Sequence, residues 1–87
     1  MDPLVLVTHQ PASGTTVGCR GGGSDAIREF IERRQPVLAV SGHIHEAAGQ
    51  DTVGNCTLVN PGPFHSGSYA EIEIDAGKVK NVRFIML

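Results

Sequence analysis

The 87-residue sequence lacks tryptophan and contains only one tyrosine and three phenylalanines. These few aromatic side chains do not cluster, so the stacking platform of a single-strand nucleic-acid binder is not expected. An excess of positive charge is missing as well. The net charge is -2, and the lysines and arginines form no basic stripe. The sequence therefore gives no nucleic-acid-binding signal.

Long apolar runs are also missing. No run approaches the ~20 apolar residues that a membrane-spanning helix needs, so we expect no membrane segment. The first residues lack the positive start and the small-residue cleavage site of a signal peptide. The two cysteines, Cys19 and Cys56, are far apart, which argues against structural disulfides and against a zinc site. Together these absences predict a cytoplasmic protein with two small, partly buried cysteines.

What the sequence does contain is the pattern of an α/β domain. Residues 3–8 and 36–41 are apolar runs without alternation, which is typical of parallel strands covered on both faces. The segment between them carries an amphipathic helical pattern that begins at a capping Ser24 or Asp25 and stops at Pro36. We therefore predict a βαβ unit whose two strands are parallel.

The second half of the sequence is rich in strand patterns. Cys56–Asn60 is a short strand between turn signals, and Ser68–Asp75 alternates apolar and polar residues as a half-exposed strand does. A hairpin turn then leads into the last strand, residues 78–87. The predicted fold class is α/β, a βαβ unit followed by antiparallel strands, and residues 1–87 are expected to form one small domain.

Three histidines stand at the ends of the two predicted parallel strands. His9 follows the first strand, and His43 and His45 follow the second. The carboxyl ends of parallel strands meet at one edge of a sheet, so all three imidazoles are expected there. Residues two apart on an extended segment point the same way, about 6–7 Å apart, which suits ligands of one metal or of two. For His9 taken alone, a hydrogen-bonded structural histidine is the competing interpretation.

These histidines belong to a longer series of motifs. In chain order the series is THQP at residues 8–11, GS followed by AIR within residues 23–28, SGHIHE at 41–46 and VNPG at 59–62. In this order the chain resembles the C-terminal half of the calcineurin-like metallophosphoesterases, which hydrolyse phosphate esters at a two-metal site. The resemblance implies the corresponding half of a four-layer αββα sandwich.

The resemblance also implies roles for the histidines. His9 and His43 would bind one metal and His45 the other, and the metals would be manganese, iron or zinc. The family's Asp-x-His, Gly-Asp and Gly-Asn-His elements, which supply the remaining ligands and a histidine that assists the leaving group, do not occur in this sequence. We therefore assign no catalytic residue here and expect the chain to be weakly active or inactive alone.

The absent half has a consequence for partners, because without it apolar strand faces are left bare. We expect a homo-oligomer or a complementary N-terminal chain to cover them. The alternative function is a non-catalytic metal-binding or oligomerisation module derived from the same family. Two further residues have open roles: Glu46 orients an imidazole or is a surface carboxylate, and His65 is a solvated loop histidine or touches substrate or metal.

Overall fold

A computed structural model describes residues 4–18, 23–42 and 47–87 of the chain. The helix and strands within these ranges confirm the predicted α/β class. In chain order they are β1 (Val5–Val7), α1 (Asp25–Arg34), β2 (Leu38–Val40), β3 (Gly49–Val53), β4 (Cys56–Asn60), β5 (Ser68–Asp75) and β6 (Lys78–Met86). Short 3-10 turns lie at Thr16–Gly18 and Phe64–Ser66. No helix in the described ranges is long and apolar enough to span a membrane.

The strands form a four-stranded sheet and a separate two-stranded sheet. The order in the larger sheet is β1-β2-β4-β3. Strand β2 pairs in parallel with both β1 and β4, whereas β3 is antiparallel to β4. The smaller sheet is the antiparallel hairpin of β5 and β6. The predicted βαβ unit is therefore confirmed, and three parallel strands end at the same edge of the larger sheet.

Strand β3 is an element that the sequence patterns did not indicate. It pairs antiparallel with β4. Val53 is the register partner of Cys56, so the loop between the two strands has two residues. Gly54 has a φ of 60°, and glycine at the first loop position is the signal of a tight hairpin. That local signal was present, but the strand itself is short and polar and lacks the apolar alternation by which strands are recognised.

Helix α1 begins and ends as the sequence predicts. The Ser24 side chain caps it by accepting the Ile27 N–H at 3.2 Å, which satisfies one of the unpaired donors of the first turn. The last turn is closed by Gln35, whose backbone adopts a left-handed conformation and donates to the Ile31 carbonyl. Pro36 follows directly, so the chain leaves the helix there and enters β2.

One face of the larger sheet packs against α1 and the loop before it. Leu6, Ala39 and Leu58 are register partners across three strands and so share this face. The core comprises Ala12, Val17, Ile31, Ala39, Val53, Cys56 and Leu58, with Leu6 and Ile27 packed against it. These side chains enclose the hydrophobic interior between the sheet and the helix.

The opposite face of the larger sheet is covered only in part. The hairpin of β5 and β6 lies beside it, and a cleft of about 500 Å³ separates Val37 and Thr57 of the sheet from Lys78 and Val79 of the hairpin. Toward β1 this cover ends: Val5 is 44% exposed and Val7 is 73% exposed. The prediction that the first strand is covered on both faces is therefore wrong, because no described layer lies over these valines.

A carboxylate joins β3 to the loop that follows β1. Asp51 of β3 accepts the Thr16 N–H at 2.9 Å and the Thr52 N–H at 2.8 Å. These two N–H groups, of which that of Thr16 has the larger effect, hold the pKa of the Asp51 carboxyl below its ordinary value. Since the pKa is lowered on folding, the charged form adds stability above the unfolded pKa, and that contribution is lost as the pH falls through the folded value.

We predict that Asp51→Asn lowers the free energy of unfolding by about 1 kcal/mol near neutral pH, because the ionised acceptor of two N–H groups is lost. The difference from wild type should shrink as the pH falls below about 4, where the unfolded carboxyl is protonated. Urea unfolding at several pH values measures it. Asp75→Asn at the hairpin end is the matched control, and a difference between wild type and Asp51→Asn that stays constant with pH would contradict the assignment.

Candidate metal centre

The carboxyl ends of β1 and β2 lie side by side at one edge of the larger sheet. The Thr8 N–H donates to the Val40 carbonyl at 2.9 Å, and one step further the Gly42 N–H donates to the His9 carbonyl at 3.0 Å. The side chain of His9 is exposed at this edge. The hydrogen bond therefore fixes the backbone of His9 beside Gly42, the residue that opens the Gly-His-x-His motif.

The structure describes only two of the predicted histidines, His9 and His65. His9 lies at the carboxyl end of β1, as expected. His43, His45 and Glu46 lie outside the described residues, so their grouping with His9 stays a prediction. His65 is described and is exposed in the 3-10 turn Phe64–Ser66.

The third parallel strand, β4, brings a buried amide to the same edge. Asn60 is 1% exposed, and its side-chain oxygen accepts the Gly62 N–H at 3.0 Å. Gly62 has a φ of 85°, and a Cβ there would come within 3.2 Å of the Ser68 Cβ. The Asn-Pro-Gly-Pro segment, residues 60–63, is thus a tight turn held by its own asparagine and by close packing.

An apolar pocket lies beside this turn. Its volume is about 300 Å³, and it opens between the start of β3, the β4 turn and the end of the hairpin. The lining residues are Ala48, Gly49, Pro61, Ser68, Phe84, Ile85 and Met86. None of these described lining residues is charged, so they offer no metal or phosphate site of their own.

The described cysteine, Cys56, lies in the core. Cys56 is fully buried, and burial raises the pKa of its thiol to about 11. The thiol therefore stays protonated at neutral pH, whereas metals bind the thiolate. This agrees with the predicted role as a small buried residue; Cys19 lies outside the described residues.

A metal ion fits His9 by position and by chemistry. Its imidazole is exposed at the carboxyl edge of a parallel sheet, and neutral imidazole is a ligand for zinc, iron and nickel. Within residues 4–18, 23–42 and 47–87, however, no group of three or more His, Cys, Asp and Glu side chains gathers closely enough to hold a metal. Of the three predicted ligands only His9 is described, so its role as a ligand stays a prediction.

Comparison with known proteins identifies the family. Residues 2–84 match the family model described as metallophosphoesterase, calcineurin superfamily. The chain belongs to this family. The match extends through all of the described strands except the last residues of β6, so the predicted family resemblance is confirmed over nearly the whole sequence.

Individual relatives of this metallophosphoesterase chain are longer than it is. It is 33% identical over 69 residues to the UPF0046 protein K07C11.7 of Caenorhabditis elegans, which covers 77% of this chain and 24% of that protein. A solved crystal structure superposes with a TM-score of 0.72 at 27% identity, covering 99% of this chain and 34% of that one. The chain thus spans about a quarter of the curated relative and about a third of this structure.

Two further solved structures share the fold. TT1561 of Thermus thermophilus superposes with a TM-score of 0.61 at 23% identity, covering 90% of this chain and 33% of that chain. The Thermotoga maritima protein TM1076 superposes with a TM-score of 0.58 at 24% identity, covering 98% of this chain and 48% of that chain. The described elements therefore match one part of the metallophosphoesterase fold.

We predict that Asn60→Ala lowers the free energy of unfolding by about 1–3 kcal/mol, because the Gly62 N–H loses its acceptor inside a packed turn. The exchange rate of the Gly62 amide should rise in the same variant. Chemical unfolding and amide exchange measure the two effects. Asn81→Ala on the exposed surface of β6 is the matched control and should change stability by less than about 0.5 kcal/mol; equal effects of the two substitutions would refute the role of Asn60.

Proposed function

We propose that this chain supplies the histidine ligands of a two-metal phosphoesterase site. His9 and His43 bind one divalent ion and His45 the other, with manganese, iron or zinc as the metals. The observation that supports this proposal most directly is the hydrogen bond from the Gly42 N–H to the His9 carbonyl. It ties the end of β1 to the first residue of the Gly-His-x-His motif in a chain that belongs to the metallophosphoesterase family.

The substrate class that follows is a phosphate ester. When bound, two adjacent metal ions clamp a phosphate group, activate water and stabilise the charge that develops during hydrolysis. The chain's own part is to hold imidazoles at the sheet edge: the backbone of His9 is fixed by Gly42, and the neighbouring strand end is fixed by the Asn60 turn. This rigid edge is what a precise set of ligands requires.

The chain alone is weakly active or inactive under this proposal. The 87 residues contain no Asp-x-His, Gly-Asp or Gly-Asn-His element, and no group of three or more His, Cys, Asp and Glu side chains gathers among the described residues. Three imidazoles without a carboxylate make a poor two-metal site. The remaining ligands come from a complementary polypeptide, or from a further part of a longer chain.

The test is metal stoichiometry. Wild-type chain loaded with manganese or zinc and then dialysed should retain roughly one ion or more per chain, and His43→Ala and His9→Ala should lose it, because each removes a ligand. His65→Ala is the matched control, since this histidine is outside the proposed set, and it should keep the wild-type count. Circular dichroism of every variant checks that the fold is retained.

Either of two results would contradict the proposal: wild-type chain without bound metal, or His43→Ala with an undiminished count. The alternative function is a non-catalytic metal-binding or oligomerisation module, and it is favoured by the absence of Asp-x-His, Gly-Asp and Gly-Asn-His elements from the 87 residues. Hydrolysis of p-nitrophenyl phosphate by the metal-loaded chain mixed with a complementary polypeptide separates the two functions. Bound metal without hydrolysis in the mixture would support the module.

A further inference from the structure

We infer that the apolar pocket beside the turn of residues 60–63 is a leaving-group subsite, which takes an aromatic ring of the ester substrate. This inference deepens the proposed function and rests on it, because it names the kind of phosphate ester that the site accepts, an aryl ester. The pocket has a volume of about 300 Å³ and opens between the start of β3, the β4 turn and the end of the hairpin.

The pocket lies at the same edge of the larger sheet as His9. The Ser41 N–H, at the end of β2, donates to the Val59 carbonyl of β4 at 3.0 Å. The next residue of β4, Asn60, is the register partner of Gly49, which lines the pocket. Two strand spacings separate β1 from β4, so the pocket is on the order of 10 Å from the end of β1. An imidazole, a metal ion and a small ester can span that distance together.

The wall that the hairpin gives to the pocket is held in place. A Cβ at Gly62 would come within 3.2 Å of the Ser68 Cβ, so the β4 turn and the start of β5 are in close contact. The Ser68 hydroxyl donates to the Met86 Sδ at 3.5 Å. The Leu87 N–H donates to the Gly67 carbonyl at 2.9 Å, which closes the same end of the hairpin. The pocket is therefore formed before a ligand arrives, as small-molecule sites usually are.

The lining suits an aromatic ring. None of the described lining residues is charged, and the one hydroxyl among them, that of Ser68, is directed to the Met86 sulfur. Phe84 and Met86 are 44% and 70% exposed, so a ring and a thioether are open to a ligand. Aromatic rings pack favourably on other rings, and a methionine sulfur lies favourably at a ring edge.

The volume of the pocket matches the same occupant. An apolar cavity of about 150 Å³ holds benzene, so about 300 Å³ accommodates one ring or two fused rings. The phosphate group binds at the metal edge and the ring lies in the pocket. In hydrolysis the oxygen of water bonds to phosphorus, the bond from phosphorus to the aryl oxygen breaks, and one proton of that water ends on the released phenol.

The first test uses the 87-residue chain without metal and phenol as the probe. The chain contains two methionines, so isotope labelling of the methionine methyl groups resolves Met86 by NMR. We expect the Met86 signal to shift saturably, with a dissociation constant in the millimolar range, because the ring lies against the thioether. Cyclohexanol has a similar size but no aromatic ring, and it should bind about threefold to tenfold more weakly.

Variants of the lining test the place of binding. Phe84→Ala should weaken phenol binding about tenfold, because it removes the ring on which the probe packs. Ile74→Ala is the matched control, since Ile74 is also a hairpin residue, 43% exposed, and does not line the pocket; it should bind phenol as wild type does. Ala48→Leu, at an exposed position, fills the pocket and should abolish the saturable shift. Circular dichroism checks that each variant is folded.

Four results of these titrations would overturn the inference. They are a Met86 signal that does not shift saturably, cyclohexanol binding as tight as that of phenol, equal losses in Phe84→Ala and Ile74→Ala, and a Met86 signal that moves with protein concentration alone. The last result would mean that a second copy of the chain covers the pocket. Since these titrations contain no metal, their failure is distinct from failure of the metal site.

The second test asks whether the pocket and the metal edge hold one ligand. Phenylphosphonate should bind the metal-loaded chain at least about tenfold more tightly than methylphosphonate, because the phosphonate and the ring are held together. Ala48→Leu should lose this preference and bind methylphosphonate as wild type does. Equal binding of the two phosphonates by wild-type chain would overturn the assignment to the leaving group. The metal content of the same sample, measured beforehand, reports separately on the metal site.

Discussion

The parallel pairing of β1 with β2 is the constraint on which the rest of the structure depends. Parallel neighbours require a crossover connection, and the chain supplies it with the loop after His9 and helix α1. The same pairing carries the hydrogen bonds from Thr8 to Val40 and from Gly42 to His9. One backbone ladder thus positions the helix over the sheet and sets the two histidine-bearing strand ends side by side.

That pairing also orders the two faces of the larger sheet, which are covered unequally. The face toward α1 is closed by a small core built on Ala39, Leu58 and Ile31. The other face is covered by the hairpin over β3 and β4, and it is open at Val5 and Val7. A chain of 87 residues has little core to spare, and the two valines leave apolar surface uncovered beside it.

Local sequence signals predicted the parts of the fold that local physics controls. The Ser24 cap, the stop at Pro36 and the hairpin between β5 and β6 each depend on residues that are near one another in sequence, and each is found in the structure. Strand β3 was not foreseen because its residues are polar and its place in the sheet comes from pairing with β4 and from the distant Thr16. The exposure of β1 was not foreseen because an apolar run does not reveal whether a second layer covers it.

In the candidate site too, some features follow from the sequence and others only from the tertiary structure. The sequence determined the three histidines, their place after two parallel strands and the family to which the chain belongs, since residue type and order are written in the chain itself. Only the tertiary structure decided that the His9 carbonyl meets the Gly42 N–H, that Asn60 is a buried turn amide, and that Cys56 is an inert core thiol. It also decided which edge of the sheet is open, because edge and layer positions follow from contacts between residues that are far apart in sequence.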